Sequence, residues 1–345
     1  MRLGIVLAAG MLVLAFAGVA HAGTLSRIDA STLRYDADPG ETNRIFASTD
    51  SQGVHVIDTG ATVTAGAGCT APTPNEGFCA ATVKKQTATQ LQINTGDQDD
   101  YVNILPGTLN LAIVDGGTGE DELIGGGARS GNWLEGGPGA DILEGRATAD
   151  YHRRTSPVTV TVGDDLANDG EAGEGDFVSS GIIAVFGGEA GDDLTILNSP
   201  GVQERTELEG GDGADHLSIL RYPFGGYILG GVGPDVIHQE AKNGLVYGSN
   251  GDDLIFGGEG PQSLEGAGGD DTLRGLDGSD YLFGNRGADD LIPGSGKDNA
   301  AGGHGPDTIF ARDGQRDVLS GGPGKTDRAR VDPGLDHVFD VEETF

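Results

Sequence analysis

Apolar positions recur every nine residues through the second half of the chain. When residues 230–319 are written as ten rows of nine, the eighth position of every row is apolar. These eighth-position residues are Ile237, Val246, Ile255, Leu264, Leu273, Leu282, Leu291, Ala300, Ile309 and Val318. A strand of about three residues turns only its middle side chain inward, so the pattern predicts one short strand per row around a thin core. A disordered chain has no reason to keep one apolar column in register over so many rows.

Glycine and aspartate recur at the other fixed positions of these rows. Residues 248–256 and 266–274 follow the order Gly-Gly-x-Gly-x-Asp-x-U-x, where U is apolar, with small departures. Less regular rows occur earlier, at 116–124, 136–144, 187–195 and 210–218. Glycine tolerates the positive φ that tight turns need, so each row is predicted to be a turn followed by a strand.

This pattern resembles the RTX, or haemolysin-type, calcium-binding repeat family, from Gly116 to Leu319 with interruptions. The resemblance implies that two repeats make one coil and that the coils stack into a parallel β-roll. It also implies that the aspartates of the turns hold Ca²⁺. The predicted fold is therefore all-β, a parallel β-roll or β-solenoid of nonapeptide repeats with N-terminal and C-terminal β caps.

The sixth position of the repeat carries the candidate metal ligands. Asp and Asn serve turns about equally well, so a consistent choice of Asp indicates that charge matters and that a cation is bound. Ca²⁺ accepts six to eight oxygens in flexible geometry, whereas Mg²⁺ demands stricter geometry and Zn²⁺ prefers nitrogen and sulfur ligands. The predicted calcium ligands are Asp121, Asp141, Asp215, Asp235, Asp253, Asp271, Asp280, Asp289, Asp298 and Asp307.

Alternate rows are expected to face opposite flanks of the roll. One flank then carries an unbroken series of aspartates, Asp235, Asp253, Asp271, Asp289 and Asp307. The other flank carries Gly244, Gln262, Asp280, Asp298 and Arg316, so only Asp280 and Asp298 form an adjacent acidic pair. Coils about 4.8 Å apart bring equivalent carboxylates close enough to repel by roughly 1 kcal/mol in water, and by more near protein. Divalent cations between the coils would relieve that repulsion.

Composition and charge narrow the choice of partners. The chain has 63 glycines among 345 residues, 6% aromatic residues and a formal net charge of −33. Such a chain repels nucleic acid and anionic membrane surfaces, and it attracts cations. We therefore expect calcium ions as partners, no nucleic acid and no membrane insertion. The sequence does not identify a protein or polysaccharide partner.

The N-terminus has the features of a secretory signal peptide over residues 1–22. Arg2 is followed by an apolar stretch from Leu3 to Val19, and Ala20-His21-Ala22 matches a cleavage site. A retained membrane anchor is the alternative interpretation.

Cys69 and Cys79 are the two cysteines of the chain, and in an oxidising compartment they are predicted to form a disulfide, with two free thiols as the alternative. The predicted location is extracellular, either free or associated with the cell surface.

The boundaries of the remaining segments are predicted from where the repeat is regular, irregular or absent. The predicted segments are a 23–93 N-terminal β cap region, a 94–154 first irregular RTX-like solenoid, a 155–186 insertion of a strand plus an acidic loop, a 187–319 RTX β-roll and a 320–345 C-terminal cap. The sequence does not distinguish a cap at 23–93 from a small binding module. The acidic loop 163–176 has EF-hand-like spacing but fails at Ala167, so a solvated loop is the preferred interpretation.

Two common catalytic motifs are missing from the sequence. It contains neither a His-Glu-x-x-His zinc motif nor a Gly-x-Ser-x-Gly nucleophile motif. The sequence therefore predicts no catalytic residues, and a secreted calcium-binding structural or interaction protein rather than an enzyme. The alternative is an extracellular carbohydrate-active enzyme that uses the calcium repeats as a scaffold.

Overall fold

The computed structural model describes residues 22–50, 52–80, 90–105, 111–126, 131–197, 205–220, 224–324 and 326–345. All regular secondary structure in these ranges is β-strand, which confirms the all-β class. The predicted signal peptide lies outside the described residues except for Ala22. No helix in the described ranges is long and apolar enough to cross a membrane.

The strands are short and follow one another closely. The first group is β1 (Ala22–Arg27), β2 (Thr32–Asp36), β3 (Arg44–Thr49), β4 (Gly53–Asp58), β5 (Thr62–Ala65), β6 (Thr70–Thr73), β7 (Glu76–Ala80), β8 (Gln90–Asn94), β9 (Tyr101–Ile104), β10 (Leu111–Asp115), β11 (Glu122–Gly125), β12 (Trp133–Glu135), β13 (Ile142–Gly145) and β14 (Thr148–Asp150). The insertion and the following coils contain β15 (Val158–Val162), β16 (Gly170–Glu171), β17 (Phe177–Val178), β18 (Ala184–Phe186), β19 (Asp193–Ile196), β20 (Thr206–Asp212), β21 (His216–Ile219), β22 (Gly226–Val232), β23 (Val236–Gln239), β24 (Leu245–Asn250) and β25 (Leu254–Phe256). The last group is β26 (Ser263–Gly268), β27 (Thr272–Arg274), β28 (Asp277–Gly278), β29 (Tyr281–Arg286), β30 (Asp290–Ile292), β31 (Ser295–Gly296), β32 (Asn299–His304), β33 (Thr308–Phe310), β34 (Val318–Ser320), β35 (Arg328–Arg330), β36 (His337–Phe339) and β37 (Glu343–Thr344).

One face of the molecule is a single sheet that runs its whole described length. We call it the long sheet, and its strand order is β36-β34-β32-β29-β26-β24-β22-β20-β18-β14-β12-β10-β8-β2-β1-β5. Every neighbouring pair from β2 and β8 through to β34 and β36 is parallel. Parallel pairing between strands that are not consecutive in the chain is the signature of a solenoid, so the predicted parallel β-solenoid is confirmed.

The opposite face consists of two shorter sheets. The first contains β17-β13-β11-β9-β3-β4-β7-β6, and the second contains β16-β15-β19-β21-β23-β25-β27-β30-β33-β35-β37. From β8 to β14, and again from β18 onward apart from the two-stranded sheet of β28 and β31, successive strands alternate between the long sheet and this face. Ile228 pairs with Val246 on the long sheet and Ile237 with Ile255 on the opposite face, so one coil takes 18 residues, or two nonapeptides.

In residues 230–319, the core consists of the eighth-position apolar residues that the sequence predicted, with one exception. The eighth-position residues from Ile237 to Ile309 are buried. Val318 is 43% exposed, and Leu319 is fully buried in its place and pairs with Ala300. The tenth row was therefore assigned wrongly. An extra residue in the turn 311–317 lengthens this coil to 19 residues between Asp298 and Asp317, which moves the inward position by one.

The insertion joins the two sheets of the opposite face. The predicted strand of this segment is present as β15, which continues forward in parallel with β19, while β17 pairs backward with β13. β16 pairs antiparallel with β15. The segment between β14 and β18 therefore contributes strands to both sheets of the opposite face. The long sheet is continuous beside it, because β14 pairs directly with β18.

The two end regions also contribute strands to both faces. Near the N-terminus β2 and β3 start the parallel pairing with β8 and β9, and antiparallel partners flank them. A disulfide joins Cys69 to Cys79 there, with Cα atoms 4.3 Å apart. Beyond residue 320, β36 extends the long sheet, and β35 and β37 extend the opposite face.

Candidate metal sites at the aspartate turns

Each sixth-position aspartate lies in the turn just before a strand and points into the molecule. Its Oδ1 accepts a hydrogen bond from the backbone N–H of the equivalent residue one coil earlier. The Asp253 N–H donates to Asp271 Oδ1 over 2.8 Å, and the Asp271 N–H donates to Asp289 Oδ1 over 2.9 Å. The carboxylates therefore link successive coils by hydrogen bonds along the solenoid axis.

The main ladder of these bonds precedes the strands of the opposite face. It is longer than the five aspartates that the sequence predicted. In its second part the residues are Asp192, Asp215, Asp235, Asp253, Asp271, Asp289, Asp307 and Asp327, in order of successive coils. In its first part they are Asn43, Asp100, Asp121, Asp141 and Asp176.

A short ladder precedes the strands of the long sheet, and here the sequence assignment needs correction. Its residues are Gln262, Asp280, Asp298, Asp317 and Asp336. The expected member Arg316 is not part of it, because the extra residue in the turn 311–317 brings Asp317 to the inward position. Asp317 is fully buried, whereas the Arg316 side chain contacts His337 at the surface. The short ladder therefore continues past Asp298.

The second carboxylate oxygen of these aspartates is buried and has no hydrogen-bond partner among the described residues. All ten predicted calcium ligands share this property, and so do three aspartates that the sequence frame missed. The residues are Asp100, Asp121, Asp141, Asp215, Asp235, Asp253, Asp271, Asp280, Asp289, Asp298, Asp307, Asp317 and Asp327. Buried polar atoms are nearly always satisfied, so one orphaned Oδ2 in coil after coil requires an explanation.

A signal for the three missed residues was present in the sequence. Each stands two residues before a buried side chain, as Asp100 before Val102, Asp317 before Leu319 and Asp327 before Ala329. The short pattern Asp-x-U therefore identifies the inward aspartates better than the nine-residue frame does, because the frame is lost wherever a turn gains or lacks a residue.

Where a repeat begins with glycine, as at Gly230 and Gly248, the orphaned oxygen lies directly beside that glycine. A Cβ added at Gly248 would lie 2.2 Å from Asp253 Oδ2 and 2.9 Å from the Gly266 carbonyl oxygen of the next coil. The same pair of oxygens meets a Cβ at Gly230, at 2.4 Å from Asp235 Oδ2 and 2.5 Å from the Gly248 oxygen. Glycine is required here because a side chain would collide with these oxygens. The fourth-position glycines, such as Gly251 at φ +147°, are required for their positive φ.

Burial perturbs the ionisation of these carboxylates. It raises the pKa of Asp271 to about 7, although the hydrogen bond from Asp253 lowers it, and the nearby charges of Asp253 and Asp289 raise it further. Burial likewise raises the pKa of Asp141 to about 8 and that of Asp235 to about 7. Without a counterion, each of these groups therefore remains substantially protonated near neutral pH.

The donor set suits a hard cation held partly by the backbone. The described residues contain no group of three or more His, Cys, Asp or Glu side chains arranged to hold a metal ion. The turns instead place a carboxylate oxygen and a backbone carbonyl oxygen of the next coil beside the same point. Ca²⁺ uses both kinds of oxygen, whereas Zn²⁺ prefers nitrogen and sulfur. The residues present therefore fit calcium.

The insertion interrupts this arrangement. Asp176 Oδ2 accepts a hydrogen bond from the Tyr151 hydroxyl at 3.0 Å, and Asp192 Oδ2 accepts one from the Gly188 N–H at 2.7 Å. Asp169 accepts N–H bonds on both oxygens, from Thr161 and Val178. The preferred interpretation of this segment as a solvated loop is wrong for Asp169 and Asp176, because both are buried and bonded to the neighbouring strands.

Four segments of the chain match the family model of the RTX calcium-binding nonapeptide repeat, at residues 127–151, 240–261, 265–300 and 292–325. No curated protein matches the chain. The last three segments contain the regular coils of both ladders, and the first contains Asp141. The matched repeats, the coil of two nonapeptides and the inward aspartates agree with one another, so this chain is a β-solenoid that contains four copies of the RTX calcium-binding nonapeptide repeat.

Proposed function

We propose that the chain is a secreted structural or interaction protein whose roll folds as Ca²⁺ binds between its aspartate-bearing turns. The observation that carries this proposal is the series of buried, unpartnered Oδ2 atoms, one in coil after coil. A carboxylate removed from water needs either a proton or a cation, and calcium is a cation that the surrounding oxygens suit. Calcium then acts as a folding cofactor.

The thin core supports a folding role for the ion. Each strand contributes one inward apolar side chain in the regular coils, and at Ala300 that side chain is small. The acidic excess of the chain opposes compaction, so packing alone has little to set against it. Binding energy available only to the folded turns is folding free energy, which couples calcium to the roll.

Secretion is proposed from two independent features. Residues 1–22 have a signal-peptide pattern, and the Cys69–Cys79 disulfide suits an oxidising compartment. Extracellular calcium is commonly millimolar, the range in which weak extracellular sites operate. Export would therefore place the unfolded chain where the ion can fold it.

The proposed role is binding, and no residue is assigned to catalysis. The alternative, a carbohydrate-active enzyme on a calcium scaffold, makes a different prediction. It requires the calcium-loaded protein to release shorter saccharides from a polysaccharide, whereas the binding role leaves chain length unchanged. Chromatography of the polysaccharide before and after incubation separates the two hypotheses.

A calcium titration of the mature protein tests the proposal. In calcium-free buffer at pH 8, residues 230–319 should be largely unfolded, and millimolar calcium should produce a cooperative gain in β signal by circular dichroism. Sodium chloride at matched ionic strength is the control, because it screens charge without bridging neighbouring turns. Equal β content in chelator and in calcium would contradict the proposal, as would full recovery in sodium chloride.

A further inference from the structure

A pocket of about 410 Å³ lies where the long sheet passes the insertion. Two of its walls are aromatic. Trp133 of β12 and Phe186 of β18 contact each other edge to face, with ring centroids 5.5 Å apart and planes at 89°. β14 lies between their strands, so the two rings meet above it. The rings form a half-buried corner on the outer surface of the sheet.

The other lining groups are rich in negative charge. Glu209 pairs in register with Phe186, Asp212 is the last residue of β20, and Glu189 lies in an adjoining turn. No Lys or Arg occurs among the described residues that line the pocket. His152 is the remaining titratable group, and its Nδ1 lies 2.6 Å from Oδ1 of the buried Asp150, which offsets any charge on the ring.

Nearby arginines are engaged elsewhere. Arg153 forms ion pairs with Asp115 and Glu135 at 2.9 and 3.0 Å. Arg154 is largely buried and pairs with Glu171 and Glu174 of the insertion. Neither arginine is therefore available to neutralise the carboxylates that line the pocket. The negative potential of these carboxylates can attract a cationic ligand.

Glycine backbone forms the remaining wall. A Cβ at Gly211 would lie 2.2 Å from the Gly188 carbonyl oxygen, and one at Gly188 would lie 2.3 Å from the Arg154 carbonyl oxygen. Side chains cannot be accommodated at these positions, which keeps the space open beside the aromatic corner. The turn itself has no orphaned carboxylate, because Asp192 Oδ2 is bonded to Gly188. The pocket therefore differs in kind from the calcium turns.

We propose that this pocket binds an organic cation, an alkylated ammonium group seated against Trp133 and Phe186 with its charge offset by Glu209 and the acidic turns. The faces of aromatic rings attract cations, Trp most strongly, and the attraction grows as the site loses water. The lining carboxylates repel an anion, and the two aromatic rings provide no ligands for a bare metal ion. This inference is independent of the calcium proposal, which concerns different residues.

The single tryptophan makes the test specific. Trp133 is the one tryptophan of the chain, so tryptophan fluorescence reports on this pocket alone. Choline chloride is titrated into the calcium-saturated protein, with sodium chloride at equal concentration as the reference. We expect a saturable change in emission with choline only. Glu209→Gln should raise the half-saturation concentration about fivefold to tenfold, from the loss of one partly desolvated charge contact.

A second pocket variant and a distant control variant show whether the response comes from this pocket. Phe186→Leu should weaken the response similarly, and circular dichroism checks that both variants keep the parent fold. Glu265→Gln removes a carboxylate from the outer surface of the same sheet, far from the pocket, and should leave the choline response unchanged. The proposal is overturned by a response equal to that of sodium chloride, by an unaltered response in Glu209→Gln, or by saturation with a neutral disaccharide instead of choline. Calcium-dependent folding is measured separately, so either proposal can fail alone.

Discussion

At the scale of single residues, the two oxygens of each turn aspartate have different environments. Oδ1 accepts a backbone N–H from the preceding coil, as in the bond of Asp298 to Asp317 at 2.9 Å. In the turns with an orphaned oxygen, such as that of Asp253, Oδ2 is buried without a partner, and a Cβ added at Gly248 would lie beside both this oxygen and the Gly266 carbonyl oxygen. Asparagine could reproduce the first contact but not the charge that a cation needs at the second. This difference gives a physical reason for Asp rather than Asn, beyond its turn-forming ability.

The pair Arg316 and Asp317 tests this view at one position. Asp317→Asn keeps an acceptor for the Asp298 N–H but removes the charge, so it should bind one calcium ion fewer and raise the calcium midpoint. Asp317→Ala also leaves that buried N–H unsatisfied, which should cost about 1–3 kcal/mol of stability. Arg316→Gln, the matched control at the exposed neighbour, should change stability by less than about 0.5 kcal/mol. Calorimetric stoichiometry and urea unfolding measure these effects. A larger effect at Arg316 than at Asp317 would show that Arg316 occupies the inward position, as the nine-residue spacing predicts.

At the scale of elements, the insertion between β14 and β18 works differently from the coils on either side. It satisfies its inward aspartates with protein donors, above all the Tyr151 hydroxyl on Asp176. Arg154 adds ion pairs to the insertion and donates to the Gly137 carbonyl of an earlier coil. Because β15 and β17 belong to different sheets, this element holds the two parts of the opposite face together. Its contacts need no metal.

Tyr151→Phe should reveal this independence from calcium. The change removes a buried hydroxyl and leaves Asp176 Oδ2 unsatisfied, which should destabilise the protein by about 1–3 kcal/mol. The loss should be equal at low and at saturating calcium, as long as the segment is folded in both. Tyr247→Phe, on the outer surface of the long sheet, is the control and should be nearly neutral. A loss that disappears in saturating calcium would show instead that this turn binds the ion.

At the scale of the whole molecule, the buried aspartates make stability depend on pH. Burial raises the pKa of Asp100, Asp235, Asp280 and Asp317 to about 7, from an ordinary value of 3.8. Between these values the folded chain binds more protons than the unfolded chain, so stability falls as pH rises. The contribution is fully present below pH 4 and is lost as pH rises through about 7.

Calcium-depleted protein should therefore be more folded at pH 5 than at pH 8. Protons neutralise the buried carboxylates at pH 5, whereas at pH 8 the same groups must ionise without a counterion. Circular dichroism in metal-free buffer at the two pH values measures the difference, and added calcium should restore the β signal at pH 8. A calcium-free protein that gains β signal on going from pH 5 to pH 8 would contradict the assignment of these carboxylates as buried.

The regular part of the fold could be predicted from sequence because its causes are local. A nine-residue spacing of apolar residues fixes a turn and a strand, and two such units return the chain to the same face after 18 residues. The inward aspartates from Asp215 to Asp307 follow from the same spacing, because parallel stacking repeats one local environment in each coil. Where a turn gained one residue, at 311–317, the frame failed and Arg316 was assigned in place of Asp317.

The sequence by itself thus predicted short strands around a thin apolar core and the ten candidate calcium ligands, and its resemblance to RTX repeats implied the parallel roll with two repeats in each coil. Only the tertiary structure decided how each carboxylate is used. It showed that Oδ1 accepts a hydrogen bond from the preceding coil, that the Tyr151 hydroxyl donates to Asp176 Oδ2, and that Trp133 and Phe186 meet in one pocket. These contacts join residues far apart in the chain through irregular segments. No repeat spacing encodes them, because they depend on how the insertion packs against coils already formed.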